Sequence, residues 1–309
     1  MNPDTNAEVQ QSPATELEFD LPKGPFVMVL GVAQDAGYPQ MDCQKSCCAP
    51  VWTGEQNAKR VSCLAVVNPQ TGAAYIIDAT PDFKMQWQQL SELPLTQPTQ
   101  LAGIFLTHAH MGHYTGLLHL GREAMGASDI PIYAMPRMKE FLENNGPWSQ
   151  LVQLNNIKTI ALQHDSTIYL QNDLRITPLQ VPHRDEFSET VGYRIEGPEE
   201  KVLFIPDIDK WEKWDRDIRS EIAGVDRAYL DGSFFKNGEL PNRDMSEIPH
   251  PFVEESMQLF EGLSPNEQAK VHFIHFNHTN PLLRENSAAQ QQLEAAGFNL
   301  AVEGNIFAL

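Results

Sequence analysis

Leu106-Thr107-His108-Ala109-His110-Met111-Gly112-His113-Tyr114-Thr115-Gly116 is the stretch on which the reading of this chain turns. Its three histidines stand at i, i+2 and i+5, directly after a short apolar run over 103–107 that reads as a buried strand. Imidazole is the commonest neutral side-chain ligand for zinc, manganese or iron, so three of them on one short loop can converge on an ion. A surface loop that binds nothing specific is the plainer alternative. The flanks count against it: the strand lies before the loop, and a helix is expected from about Tyr114 to Met125 after it, so the loop is anchored on both sides.

Outward from this loop the chain alternates β-rich runs with amphipathic segments. Strands are expected at 26–31, 62–68 and 74–78, the last two joined by the Pro-Gln-Thr-Gly turn at 69–72. A helix is expected over 81–90, with Thr80 as N-cap and Pro81 in its first position. Beyond the histidines, strands are expected at 130–133, 167–170, 174–178, 191–195, 202–206, 227–230 and 271–276, and helices at 136–144, 210–222, 251–263 and 287–296. That pattern implies an α/β protein with two packed sheets and helices outside them, which layer packing permits without singling it out. There is no repeat, no low-complexity tract and no linker after residue 25, so the expectation is a flexible acidic tail, 1–25, followed by one domain, 26–309.

The chain has 309 residues with 41 Asp and Glu against 22 Lys and Arg, a formal charge of -19. A surface this acidic and without a Lys/Arg cluster repels a long polyanion, so nucleic acid is excluded as a partner and a small-molecule substrate is expected. The longest apolar run, 26–32, is far short of the roughly 20 residues that span a bilayer, so no membrane segment is expected. Residues 1–24 lack the basic, apolar and small-residue blocks of a signal peptide, and the expected location is cytoplasmic. A homodimer is compatible with all of this. Cys43, Cys47 and Cys48 fall within six residues, a metal-like cluster and not a spaced disulfide framework. Cys63 sits in an apolar strand and is expected in the core.

At the histidine loop the chain resembles the metallo-β-lactamase superfamily, whose signature is Thr-His-x-His-x-Asp-His followed downstream by His, Asp and His. The resemblance covers 26–309 and continues through Val181-Pro182-His183, Phe204-Ile205-Pro206-Asp207 and His272-Phe273-Ile274-His275. It implies the four-layer αββα sandwich of that superfamily. It also implies that His108, His110 and His183 hold a first metal ion, His113 and His275 a second, and that Asp207 bridges the two. Within the superfamily, Gly37-Tyr38-Pro39-Gln40, Ala79-Thr80-Pro81-Asp82, Tyr114-Thr115-Gly116-Leu117-Leu118 and His275-Phe276-Asn277-His278-Thr279-Asn280-Pro281 are similar to the pyrroloquinoline quinone biosynthesis protein B family and to the phosphoribosyl cyclic phosphodiesterases.

Position 112 departs from the signature, with Gly in place of the aspartate that ligates the second metal. The consequence is a single-metal enzyme, a second site completed by water, or a replacement carboxylate from Asp82, Asp35 or Asp209; Asp82 is favoured, because it follows the strand that ends at Asp78. Asp78 itself is expected to hold the loop backbone. In the cyclic phosphodiesterases a cysteine cluster is completed by a histidine three residues after the last active-site histidine. That spacing assigns His278 to a structural zinc with Cys43, Cys47 and Cys48, with His250 as the reserve ligand. His272 is expected to face away from His275, and His119 and His164 to be ordinary core or surface residues.

The function these residues imply is a metal-dependent hydrolase with one or two divalent ions (Zn, Mn or Fe), which lower the pKa of bound water toward about 7 and so supply a hydroxide nucleophile. The resemblance points to a small phosphodiester or cyclic phosphate, with Arg184 and Lys236 as candidate contacts for its anionic group. The alternative is an oxygen-using enzyme or a carrier in quinone cofactor synthesis. No Ser-His-Asp elbow and no glycine-rich phosphate loop competes with the metal reading.

Overall fold

The computed structural model describes residues 21–309, so the first twenty residues of the expected tail lie outside the described residues. Pro25 already accepts a hydrogen bond from the amide of Leu309 at 2.8 Å, which ties the start of the folded chain to its end.

Among the described residues the chain forms fourteen strands in two sheets of seven. The first sheet contains β1 (Phe26–Gly31), β2 (Cys63–Asn68), β3 (Ala73–Ile77), β4 (Gln100–Phe105), β5 (Ile130–Ala134) and β6 (Ile157–Ala161). The second contains β7 (Ile168–Tyr169), β8 (Arg175–Gln180), β9 (Val191–Glu196), β10 (Lys201–Ile205), β11 (Arg227–Asp231), β12 (Val271–Ile274) and β13 (Asn299–Leu300), while β14 (Ile306–Ala308) returns to the first sheet beside β1.

Alternation along the strands builds the layers. In β1 all six residues are buried: Phe26, Met28 and Leu30 join Phe83 and Leu90 of one outer helix and Met138 and Leu142 of another, whereas Val27 and Val29 join residues of the second sheet. A period of two sends successive side chains to opposite faces, so a strand apolar on both faces is one covered on both. Phe105 of β4 meets Tyr193 of β9 edge-on at 5.8 Å between ring centres, which places the two sheets face to face. The result is the expected αββα sandwich.

Strand direction positions the site. β1 and β3 are both antiparallel to β2, and β3 is parallel to β4, so β1, β3 and β4 run the same way. In the other sheet β8 and β10 are both antiparallel to β9, and β10, β11 and β12 are mutually parallel. Each set of strands therefore ends on one edge of its own sheet.

Several expected boundaries move, for local reasons. The helix expected over 114–125 is a short helix, Met111–Tyr114, followed by a 3₁₀ turn, Thr115–Leu120, because Gly116 donates its amide to Ala79 and not back along a helix. The helix expected over 81–90 runs Phe83–Ser91 with Asp82 at its N-cap, and Thr80 instead accepts the Asp82 amide through its hydroxyl. The one expected over 210–222 splits into Trp211–Lys213 and Ile218–Ala223, the second started by the Asp217 carboxylate accepting from the Arg219 amide. β6, β13 and β14 were not expected; β6 is an edge strand of mixed burial, and the other two are two and three residues long, too short to carry a pattern. Among the described residues no helix is long and apolar enough to cross a membrane.

His272 of β12 faces away from His275 as expected. Its Nε2 accepts from the Arg227 guanidinium at 2.8 Å, and that guanidinium stacks on Phe307 at 3.5 Å. Burial first, then the Arg227 charge, lowers the His272 pKa from 6.5 to about 4. The folded state thus refuses a proton that the unfolded chain accepts, so stability is lost as pH falls from 6.5 toward 4. His272→Gln keeps an acceptor for Arg227 without titrating. It is expected to remove a pH-dependent loss on the order of 2–3 kcal/mol, read as a smaller fall in melting temperature between pH 7 and pH 5 than in the unsubstituted chain.

Candidate metal centre

All but one of the residues of the site lie at or just beyond the end of one of these like-directed strands. Asp35 follows β1, Asp78 follows β3, and His108, His110 and His113 follow β4. On the facing sheet His183 follows β8, Asp207 follows β10, Asp231 ends β11 and His275 follows β12.

The structure brings His108, His110, His183 and Asp207 together, each offering one ligand atom within 4.8 Å of the others. Asp207 Oδ2 is 3.3 Å from His108 Nε2, Asp207 Oδ1 is 3.2 Å from His183 Nε2, and His108 Nε2 is 2.8 Å from His110 Nδ1. A second group joins His113 and His275 to Asp35. Asp82, expected in that group, is not part of it: its carboxylate accepts from the Val61 amide at 2.8 Å and props the chain behind the loop that carries Asp35.

The outward nitrogens of these rings are anchored. Thr107 Oγ1 lies 2.9 Å from His108 Nδ1, Asp78 Oδ2 lies 2.7 Å from His113 Nδ1, Asp209 Oδ1 lies 3.2 Å from His183 Nδ1, and Ser233 Oγ lies 3.1 Å from His275 Nδ1. Partners of this kind fix ring orientation and leave the other nitrogen to point inward. Asp78 Oδ1 also accepts from the Thr107 amide at 2.8 Å, the backbone role expected of it. Asp209, one of the three candidate replacement carboxylates, instead orients His183.

Two residues of the site went unrecognised in the sequence. Asp231 and His250 form a third group with Asp207, with His250 Nδ1 2.8 Å from Asp231 Oδ2 and 3.2 Å from Asp207 Oδ1. His250 therefore belongs to this centre and not to the cysteine cluster, where it was the reserve ligand. Asp231 carried a usable signal, an acid closing a buried strand before glycine, just as Asp207 follows β10. His250 carried none, since only the fold of the 232–250 loop returns it to the strand ends.

Five buried atoms at the centre have no hydrogen-bond partner: His113 Nε2, His183 Nε2, His275 Nε2, Asp207 Oδ1 and Asp35 Oδ1. Buried polar atoms are normally paired, and leaving one unpaired costs about 1–3 kcal/mol. Five of them divided between two adjoining groups fit sites for cations, and imidazole with carboxylate is the donor set for zinc, manganese or iron. The electrostatics agree. Burial alone would lower His113, His183 and His250, yet the Asp78 charge raises His113 well above its usual range, the Asp207 charge raises His183, and the Asp231 charge raises His250 to about 9. Burial would likewise raise the carboxyl of Asp207, but the charges on His183 and His250 hold it well below the usual carboxylate range.

Away from this centre, Cys43, Cys47 and Cys48 gather with their sulfurs within 4.8 Å of one another, Cys43 and Cys47 at 3.6 Å. Trp52 Nε1 donates to the Cys43 carbonyl at 2.9 Å and the Tyr38 hydroxyl to the Cys47 carbonyl at 2.7 Å, so the loop is held from both sides. Burial pushes the Cys48 thiol up to about 12. His278 stands outside the three-sulfur group; it is half-buried, and burial followed by the Lys45 charge lowers its pKa. Cys63 is fully buried in β2, in the core.

A family model described as the beta-lactamase superfamily domain matches residues 74–276, which span every ligand candidate except Asp35, the cysteines and His278. The chain belongs to the beta-lactamase superfamily. A curated relative, coenzyme PQQ synthesis protein B of Methylorubrum extorquens strain PA1, is 25% identical over 304 residues, covering 90% of this chain and 98% of that protein. Among solved structures, Zn(2+)-bound PqqB from Methylobacterium extorquens superposes with a TM-score of 0.76 at 24% identity, covering 92% of this chain and 100% of the other. A diphosphatase from the PhnP family superposes with a TM-score of 0.64 at 21% identity, covering 92% of this chain and 96% of the other. The superfamily's fold is thus present from end to end of the described chain, and it is a fold of metallohydrolases.

If the sulfur group is a structural zinc site, Cys47→Ser will cost one tightly held zinc per chain and lower the melting temperature. His110→Ala, at the rim of the histidine centre, will leave folding intact. Equal losses of melting temperature in both, read by calorimetry alongside metal content, would show that the structural and catalytic roles are assigned the wrong way round.

Proposed function

We propose that the chain is a metal-dependent hydrolase of a small phosphodiester or cyclic phosphate ester. The observation that carries this reading is the convergence of five unpartnered buried donor atoms on two adjoining groups, with Asp207 central to both the His108–His110–His183 group and the His250 pair. His108, His110, His183 and Asp207 would hold one divalent ion, and His113 and His275 would contribute to a second. Such ions supply a Lewis acid and lower the pKa of the water they bind toward about 7.

The remaining groups have roles that follow from their placement. Asp78, Asp209, Thr107 and Ser233 keep the imidazoles oriented, so little reorganisation accompanies each turnover. Asp231 engages His250 Nδ1, leaving Nε2 as the ring atom free to meet the substrate. Arg184 reaches to 3.4 Å from His110 Nε2, beside Glu186 at 3.6 Å from the same nitrogen. A guanidinium at the rim suits a phosphoryl oxygen. Lys236 lines a surface hollow with Arg284 and Gln292, and no contact ties it to this centre. The formal charge of -19 disfavours a long polyanion, which leaves a compact ester drawn in by the centre itself.

A second reading, a part in quinone cofactor synthesis, is supported by the near full-length similarity to coenzyme PQQ synthesis protein B. Metal analysis of protein purified without added metal, followed by assays of bis(p-nitrophenyl) phosphate hydrolysis with Zn²⁺, Mn²⁺ and Fe²⁺, separates the two. The hydrolase reading expects turnover that His110→Ala reduces to background and that Arg184→Ala reduces about tenfold in kcat/KM. Absence of turnover with every ion, together with iron-dependent oxygen consumption, would replace it with the second reading.

A further inference from the structure

Gly112 stands where the superfamily signature has an aspartate, and another carboxylate occupies the space a side chain there would take. A Cβ built on Gly112 would lie 2.2 Å from Asp35 Oδ1 and 2.5 Å from Asp35 Cα. The second distance is to backbone, so no rotation of the Asp35 side chain relieves it. Only glycine at 112 lets the loop after β1 come this close.

We propose that Asp35 is a ligand of the second metal site, completing it with His113 and His275 and replacing from a different strand the carboxylate that position 112 lacks. The inference rests on the metal-centre reading above and adds a ligand to it. Asp35 Oδ1 is 3.2 Å from His113 Nε2, yet neither atom makes a hydrogen bond, and His275 Nε2 lacks one as well. Three such atoms within 4.8 Å of one another are aimed at a shared point and not at each other. The side chain of Asp35 as a whole keeps 38% of its surface exposed, but Oδ1 itself is buried. His113 and His275 are fully buried, and Asp78 and Ser233 already hold their other nitrogens, so the inward atoms have no alternative partner nearby.

The loop is built to hold Asp35 there. Gln34 donates its amide to the Phe276 carbonyl at 2.8 Å, Phe276 donates to Val32 at 2.9 Å, and the Asn277 side chain donates to that of Gln34 at 2.7 Å. Asp35 is thereby locked in register with the segment that carries His275. On its other side Ala33 donates to Arg60 at 2.8 Å and accepts from Ser62 at 2.7 Å. Between them, Val61 is held through its amide by Asp82 and through its carbonyl by the Gln86 side chain. Gly31 admits this packing, since a Cβ there would fall 1.9 Å from the Val61 carbonyl oxygen. Asp82 therefore acts on the second site at one remove, by bracing the segment before β2 against which the Asp35 loop lies.

Zinc bound per chain, measured by elemental analysis at buffered free Zn²⁺, tests the assignment without reference to turnover. Asp35→Asn keeps the shape and removes the charge; Gly112→Ala leaves every ligand in place but pushes the loop away. Both are expected to bind one zinc fewer per chain than the unsubstituted protein, or to bind the last zinc at least tenfold more weakly, with melting temperatures in chelator close to the parent. If Gly112→Ala misfolds, the isosteric Asp35→Asn decides alone. Asp35→Asn with unchanged zinc content and affinity would overturn the assignment, whatever the protein hydrolyses. Loss of the zinc in a protein that hydrolyses no phosphodiester would leave Asp35 a ligand and remove only the substrate reading.

Discussion

The site depends on strands that run the same way within each of the two sheets. β1, β3 and β4 in one sheet, and β8, β10, β11 and β12 in the other, all end at the site, and each contributes one side chain or more to it. Strands embedded in sheets are the stiffest part of the molecule, so residues just beyond their ends are placed with little freedom even where the connecting loops are long. The histidine loop is ordered from both sides in the same way: Asp78 accepts from the Thr107 amide and hydroxyl and also holds His113, so a single buried carboxylate sets the backbone and one ring together.

The electrostatics follow from this placement. Asp78, Asp207 and Asp231 are all buried, at 2% exposure or less, against a cluster of imidazoles. Buried carboxylates that close together are expensive unless positive charge lies between them. The raised pKa values of His113, His183 and His250 express that demand, and divalent cations would meet it more completely than imidazolium groups. Part of the chain's large negative charge is thus concentrated in this buried cluster.

At the second group, a carboxylate from another strand stands where the histidine loop has none. The histidine loop lacks a carboxylate at 112, and the loop after β1 supplies one in the same volume because Gly112, Gly31 and the braced Val61 allow close backbone approach. Asp82 is the instructive error. It follows β3 next to the centre, and proximity along the chain favours it, but its carboxylate is spent on the Val61 amide. Nothing in the spacing of Asp35, 47 residues before Asp82, distinguishes it from any other loop aspartate.

The sequence by itself made an α/β protein with two packed sheets legible, because strands apolar on both faces must be covered on both faces, and its resemblance to the superfamily pointed to His108, His110, His183 and Asp207, which the fold gathers into one group. The cysteine group was legible for a similar reason, its three members lying within one short loop. Only the tertiary structure decided which carboxylate faces His113 and His275, that Asp231 and His250 join Asp207, and that His278 stands outside the three sulfurs. Local chemistry is written in short spacings. Contacts such as Asp35 with Gly112, or His250 with Asp231, depend on the register between strands and on where long loops return, and those are settled by packing across the whole molecule.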